Sequence, residues 1–142
     1  MPVRWQIDHA TWTVVVTAEG TLGLKGFEGL LDSMARVGTL SYRKLFDMTR
    51  ISPALGKEDL IAVRDRITRE SDLGPRGPVA IVAAANEHYE VAHLFQAIMA
   101  EPLAHPHVRV FRELQAASDW LSAEPVETKL HAWLEDHGAE MA

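Results

Sequence analysis

Seven histidines are the first residues with chemistry to offer, because imidazole is both a common metal ligand and a general base that titrates near neutrality. Their spacing serves neither role well. His88 and His93 are five positions apart, about 140° around a helix, so they do not share a face. His105 and His107 flank Pro106 and would point the same way in an extended segment. Two imidazoles without a third ligand make a weak site, and they read as loop histidines. His131 and His137 lie among acids and read as part of a solvated face, and His9 follows Asp8 and reads as a turn residue. No metal and no cofactor is expected. Among the acids, Asp47 ranks first because it closes a predicted strand, and open α/β sheets bind ligands beyond the carboxyl ends of their strands. The alternative is structural, with its carboxylate accepting N–H groups of the following loop. Arg64, Arg66 and Arg69 would suit an anion, or would pair within their helix, as Asp65 with Arg69 at i,i+4. Gly23, Gly26 and Gly29 are spaced G-x-x-G-x-x-G. That is not the dinucleotide fingerprint, and it reads as small residues allowing close helix–sheet packing. No phosphate-binding G-x-x-x-x-G-K-[ST] loop and no G-x-S-x-G elbow occurs. The chain has no cysteine, which removes disulfides, thiol nucleophiles and thiolate metal sites. With no nucleophile beside an oriented base, an enzyme is not the expectation.

These residues must be held by elements, and the hydrophobic pattern predicts them. Val3, Trp5 and Ile7 alternate with polar residues and predict a strand. After a turn at Asp8-His9-Ala10, the β-branched run Thr11–Ala18 predicts a second strand, paired as an antiparallel hairpin. Leu24, Phe27, Leu30, Leu31, Met34 and Val37 recur at helical spacing, with Gly38 as the stop. A short strand over Lys44–Met48, a turn at Ser52-Pro53 and a helix over roughly Lys57–Ser71 follow. Gly74-Pro75-Arg76-Gly77-Pro78 predicts a rigid turn. Val79–Ala84 holds no polar residue, which predicts a central parallel strand buried on both faces. Asn86 is the expected N-cap of a helix to about Glu101. Pro102 and Pro106 bracket a loop, Val108–Phe111 forms the last strand, and Glu113–Ser122 forms a fourth helix. A terminal helix over about Val126–His137 carries Val126, Leu130, Trp133 and Leu134 on one side. The order β-β-α-β-α-β-α-β-α-α predicts an α/β fold. Its sheet is five-stranded, mixed and mostly parallel, with an N-terminal antiparallel hairpin and an extra C-terminal helix. The main helices fall on one face. The apolar strand then needs cover on its other face, from the Trp133–Leu134 helix or from a second copy of the chain.

At 142 residues the chain is one domain long. Hydrophobic residues at 47% and charged residues at 24% place it with folded proteins rather than disordered ones. The longest apolar run, Val79–Ala85, falls far short of the ~20 residues that span a bilayer. The N-terminus Met-Pro-Val-Arg-Trp-Gln carries no secretory pattern, so a bacterial-style cytoplasmic protein is expected. A net charge of −6 disfavours a general affinity for nucleic acid. The charge is uneven: residues 124–142 hold five acids against Lys129, a charge of −4, and residues 1–123 carry only −2. The chain therefore divides into a nearly neutral domain over 1–123 and an acidic amphipathic segment over 124–142. That segment packs on the domain or on a dimer partner, and a homodimer through Trp133 and Leu134 is expected.

The element order, with the local sequences RKLFDM, GPVAIVAA, VRVF and AASDWL, resembles a SpoIIAA-like domain of the STAS group, which includes anti-sigma-factor antagonists. The resemblance covers Trp5 to Leu121. It implies a non-catalytic interaction or regulatory module whose working surface is the loop Thr49–Lys57 and the start of the second helix. In that family a serine in a D-S-S-G-L pattern accepts phosphate from a kinase anti-sigma factor. In this chain the acceptor position falls near Gly56, within Leu55-Gly56-Lys57, where no hydroxyl stands. Thr49 and Ser52 lie several residues early. The usual phosphoswitch is therefore not expected, and the helix N-terminus remains a potential anion site. A coarser likeness to the lipid-binding CRAL-TRIO architecture implies the alternative, a small-molecule or lipid binder with its pocket at the strand carboxyl ends, near Asp47, Met48, Ala85 and Asn86. The candidate binding residues are Asp47, Thr49, Ser52, Gly56, Lys57 and Asn86. A protein partner is expected.

Overall fold

The structure is a computed structural model that describes residues 3–70, 76–100 and 107–123. The turn residues 74–75, the loop residues Pro102, His105 and Pro106, and the terminal segment with Val126, Trp133 and Leu134 lie outside the described residues.

Strands β1 (Val3–Asp8) and β2 (Thr13–Ala18) form the opening hairpin. Asp8 shapes its turn by accepting the backbone N–H groups of Ala10 at 2.9 Å and Thr11 at 3.2 Å. The bonds from Thr11 and then Ala10 stabilise the charged form and hold the Asp8 carboxyl below its usual pKa. After β3 (Gly20–Leu22) come α1 (Leu24–Arg36), β4 (Arg43–Asp47), β5 (Ile51–Pro53) and α2 (Lys57–Arg69). The chain continues through β6 (Val79–Val82), α3 (Asn86–Ala100), β7 (Val108–Phe111) and α4 (Leu114–Ala123).

The main sheet has the order β1-β2-β4-β6-β7, antiparallel between β1 and β2 and parallel elsewhere. Its register sorts the side chains by face. Val14, Val16, Phe46, Val79, Ile81, Val108 and Val110 join the larger core, together with Leu30 and Met34 of α1, Leu60, Val63 and Ile67 of α2, and Phe95 and Met99 of α3. The spacing of these helical residues at three and four is what places them on one stripe. On the opposite face Leu45, Ala80 and Val82 meet Ala117 and Leu121 of α4. The expected five-stranded mixed sheet and the four helices up to Ala123 are therefore present.

Several expectations are corrected. The far face of β6 is covered by α4, so the apolar strand does not need Trp133, Leu134 or a second copy for that purpose; Ala80 and Val82 are fully buried as it stands. Ser52-Pro53 is not a turn but part of β5, which pairs in parallel with β3 as a separate two-stranded ribbon. Gly23 and Gly29 face open space, so they do not serve close helix–sheet packing. Asn86 is the first residue of α3 rather than its cap.

The predicted Asp65–Arg69 pair does not form; Asp65 pairs with its neighbour Arg64 at 3.1 Å. Arg66 instead joins two helices. It reaches Glu70, just past the end of α2, at 3.0 Å, and Glu28 at 3.4 Å and Asp32 on α1. Three carboxylates converge on one guanidinium that is mostly shielded from solvent. Arg66→Ala should cost about 1 kcal/mol. The loss should shrink in high salt, which already screens the pairs in the native protein. Urea unfolding at low and high ionic strength measures both effects.

Candidate functional site

The carboxyl end of β4 is where the loop leading to α2 begins. Asp47 Oδ1 accepts the backbone N–H of Thr49 at 3.1 Å and its hydroxyl at 2.6 Å. A short acid that accepts the N–H two residues on is the usual way to fix such a turn. Both readings of Asp47 meet here, since it braces the loop and also lines a polar basin of about 320 Å³ with Arg4, Thr17, Glu19, Thr49 and Arg50. Arg50 pairs with Glu19 at 3.0 Å, with both side chains exposed. The basin holds two cations and two acids, so it has no strong preference for either sign of ligand.

The chain then enters the β3–β5 ribbon. Ile51 and Leu22 are buried and pin the ribbon to the core, leaving Ser52 exposed between them and the next turn. Ala54 N donates to Leu22 O at 2.7 Å, and Gly20 N to Arg50 O at 3.2 Å. Gly20 joins β2 to β3 at φ +95°, a conformation that favours glycine.

Gly56 is the N-cap of α2 in extended conformation. It has no side chain to cap with, and Asp59 compensates: its Oδ2 accepts the Gly56 N–H at 3.0 Å. This is the reciprocal half of a capping box. With that carboxylate in place and Glu58 in the same turn, an incoming anion would meet negative charge at this helix start. Gly56, Lys57 and Glu58 are all exposed.

Behind the loop, on the side of the larger core, lies a small apolar cavity of about 50 Å³. Leu22, Phe27, Met48, Leu55, His88 and Phe95 line it. Met48 is the residue of the β4–β5 loop that turns inward, its backbone N–H continuing the sheet to Val82 O at 2.9 Å. Ligand pockets are commonly about 300–1,000 Å³, so this cavity is too small for a lipid without rearrangement.

Asp47 and Thr49 are thus brought into one bonded unit, followed along the chain by Ser52 and the exposed start of α2 with Gly56 and Lys57. Asn86 is engaged elsewhere. Arg112 Nη1 donates to Asn86 Oδ1 at 2.8 Å and to Ala84 O at 3.1 Å, and its guanidinium lies 4.0 Å from the Tyr89 ring centroid. Glu19, Arg50 and Asp59 escaped the sequence reading as site residues. Only Asp59 carried a signal, an acid at the third helical position after a residue without a capping side chain. Among the described residues, no group of three His, Asp or Glu side chains is placed to hold a metal.

No protein-family model matches the chain, and no curated protein sequence matches it. Solved structures do. An uncharacterized protein of the DUF3478 family with a SpoIIAA-like fold, from Shewanella loihica PV-4, aligns with a TM-score of 0.52 at 16% identity, over 84% of this chain and 93% of that one. The anti-sigma factor antagonist SpoIIAA in its unphosphorylated form aligns with a TM-score of 0.51 at 13% identity, over 87% of this chain and all of that one. The chain therefore has a SpoIIAA-like α/β fold, in agreement with the expectation from its element order.

Proposed function

We propose that this SpoIIAA-like domain is a non-catalytic protein-interaction module, and that it engages a regulatory protein partner through the Thr49–Lys57 loop and the start of α2. The observation that carries the reading is the contrast between a braced backbone and an exposed surface. The Asp47–Thr49 bonds, the β3–β5 ribbon and the Asp59 cap hold the segment, while Ser52, Gly56 and Lys57 face solvent. A surface ordered before contact loses little entropy on binding. The likeness to a chain named as an anti-sigma factor antagonist, a protein that acts through another protein, supports the same direction. Phosphorylation at Gly56 is not part of the proposal, because no hydroxyl is present there.

Quantitative capture from the native cell with the wild-type chain and with Lys57→Glu tests the reading. A partner enriched by the wild type should then bind the variant at least about tenfold more weakly when both proteins are pure, a range typical of losing one central contact. Circular dichroism should be unchanged, since Lys57 is exposed. Equal binding by both chains would defeat the proposal.

The alternative, a small-molecule or lipid binder, would need the small apolar cavity beside Met48 and Phe95 to open. Native mass spectrometry after exposure to metabolite and lipid mixtures tests it. Bound mass that disappears in Ala92→Phe, a substitution at the cavity lining, would favour it over the interaction reading.

A further inference from the structure

The two faces of the sheet are unequally covered. Among the described residues, three helices pack on one face, while the ten-residue α4 alone packs on the other, over β4, β6 and β7. Strands lie about 4.8 Å apart and a helix is about 10 Å across, so one helix shields two or three strands of five. The β1–β2 half of that face is left as an open groove of about 820 Å³, with Gln6, Trp12, Val15, Arg43, Leu45 and Leu121 among its lining. Trp12 is held there at φ +55°, the single non-glycine residue in the left-handed region among those described. Its ring stacks on Tyr42 at 6.4 Å between centroids, and its carbonyl accepts the Arg43 N–H at 2.8 Å. An L-residue pays a backbone penalty for that conformation, and here the distorted turn sets an indole at the mouth of the groove.

We propose that the groove is the docking site of the chain's own C-terminal segment, residues 124–142, with the stripe of Val126, Leu130, Trp133 and Leu134 against it. The end of α4 supplies the first reason. Ser118, Leu121 and Ser122 line the groove, and α4 ends at Ala123. The segment therefore starts at the groove wall, and Pro125 prevents it from simply prolonging α4. Length supplies the second. A helix over Val126–His137 would be about 18 Å long, close to the roughly 20 Å of a six-residue strand such as β2. Chemistry supplies the third. The stripe is apolar and aromatic, and the half-buried Val15 and Trp12 offer matching surface beside the buried Leu45 and Leu121. Glu135 and Asp136 would fall on the other sides of that helix, with Glu127 at the edge of the stripe. The tether decides between this chain and a second copy. A linker of two residues gives an effective concentration of about a millimolar, far above a micromolar second chain.

Hydrogen exchange on the full-length chain tests the proposal, together with thiol labelling of Ser118→Cys in this cysteine-free sequence. Backbone amides of 126–134 should be protected equally at low and high micromolar concentration, and the labelled thiol should be shielded. Trp133→Ala should leave the 1–123 domain folded and lower its melting only by the docking free energy it removes. It should raise both the exchange of 126–134 and the labelling of residue 118 by about tenfold or more, the cost of losing a buried Trp. Val15→Arg, on the groove side, should produce the same exposure of the segment. Unprotected amides, or labelling indifferent to Trp133→Ala, would overturn the proposal. So would protection that appears only as the mass doubles, which would make a second copy the occupant.

Discussion

Gly77→Ala should destabilise the protein by about 3 kcal/mol or more. For a chain of this length that is roughly 10 °C in Tm. Gly77 sits in the turn before β6, where its N–H donates to Leu40 O at 2.9 Å and the Pro78 carbonyl accepts the Lys44 N–H at 2.9 Å. A β-carbon there would overlap the backbone carbonyl oxygens of Ser41 and Tyr42. Backbone atoms cannot rotate aside as a side chain does, so either the turn or the α1–β4 loop must move. Both are bonded to the edge of the central strands, which makes the displacement costly. Gly29→Ala provides the internal contrast. Gly29 lies within α1 with open space around it, and the same substitution there should stabilise by about 0.5–1 kcal/mol. Thermal unfolding of both variants measures the opposite signs. Equal, small shifts would contradict the placement of the turn.

Lys44 should make stability depend on pH above neutrality. Its side chain is 3% exposed and stands on the larger-core face of β4. Its Nζ donates to the carbonyl oxygens of Leu40 and of Tyr42, the latter at 2.9 Å. Burial, and then the charge of Arg76, push its pKa down to about 7. An unfolded lysine titrates near 10.4. Between about pH 7 and 10 the unfolded chain therefore holds a proton that the folded chain has released. Stability from this group must rise with pH across that window, and below about pH 7 the full cost of burying the charge applies. Lys44→Met removes the titration and leaves the rest of the protein's pH dependence in place. The unfolding free energy of the wild type relative to Lys44→Met should increase from pH 7 to pH 10, on the order of 2–4 kcal/mol. Denaturant unfolding at several pH values measures the difference. A flat difference would mean that the Lys44 amine keeps its ordinary pKa.

The parts of this fold that could be read from sequence are those with sustained periodicity. The stripe Leu60, Val63 and Ile67 and the unbroken run Val79–Ala84 each carry enough repeats to identify their element. The β3–β5 ribbon does not. Its strands are three residues each, too short for an alternating pattern, and Gly20 and Pro53 read as breakers. Lys44 is invisible for a different reason. Arg43-Lys44-Leu45-Phe46-Asp47 gives no alternation, so nothing marks the lysine as the residue facing the core. The cover of the apolar β6 face is hard to read because α4 offers it only Ala117 and Leu121 as buried residues, a weak stripe beside the Trp-Leu pattern further along. At the candidate site, Asp47 stands out in the sequence by its place at a strand end. Its bond to Thr49 required only local spacing and followed from it. The partner of Asn86, Arg112, is 26 residues away, beyond any local pattern.

On the proposed function, the β4–α2 segment is the surface that meets a protein partner. Hydrogen exchange of the full-length chain, free and bound to the partner that capture identifies, tests it most directly. Added protection should be concentrated on residues 49–59, with little change along α3 and α4. Protection centred on the α4 side of the sheet, or on the α3 wall of the apolar cavity, with residues 49–59 unchanged, would contradict it.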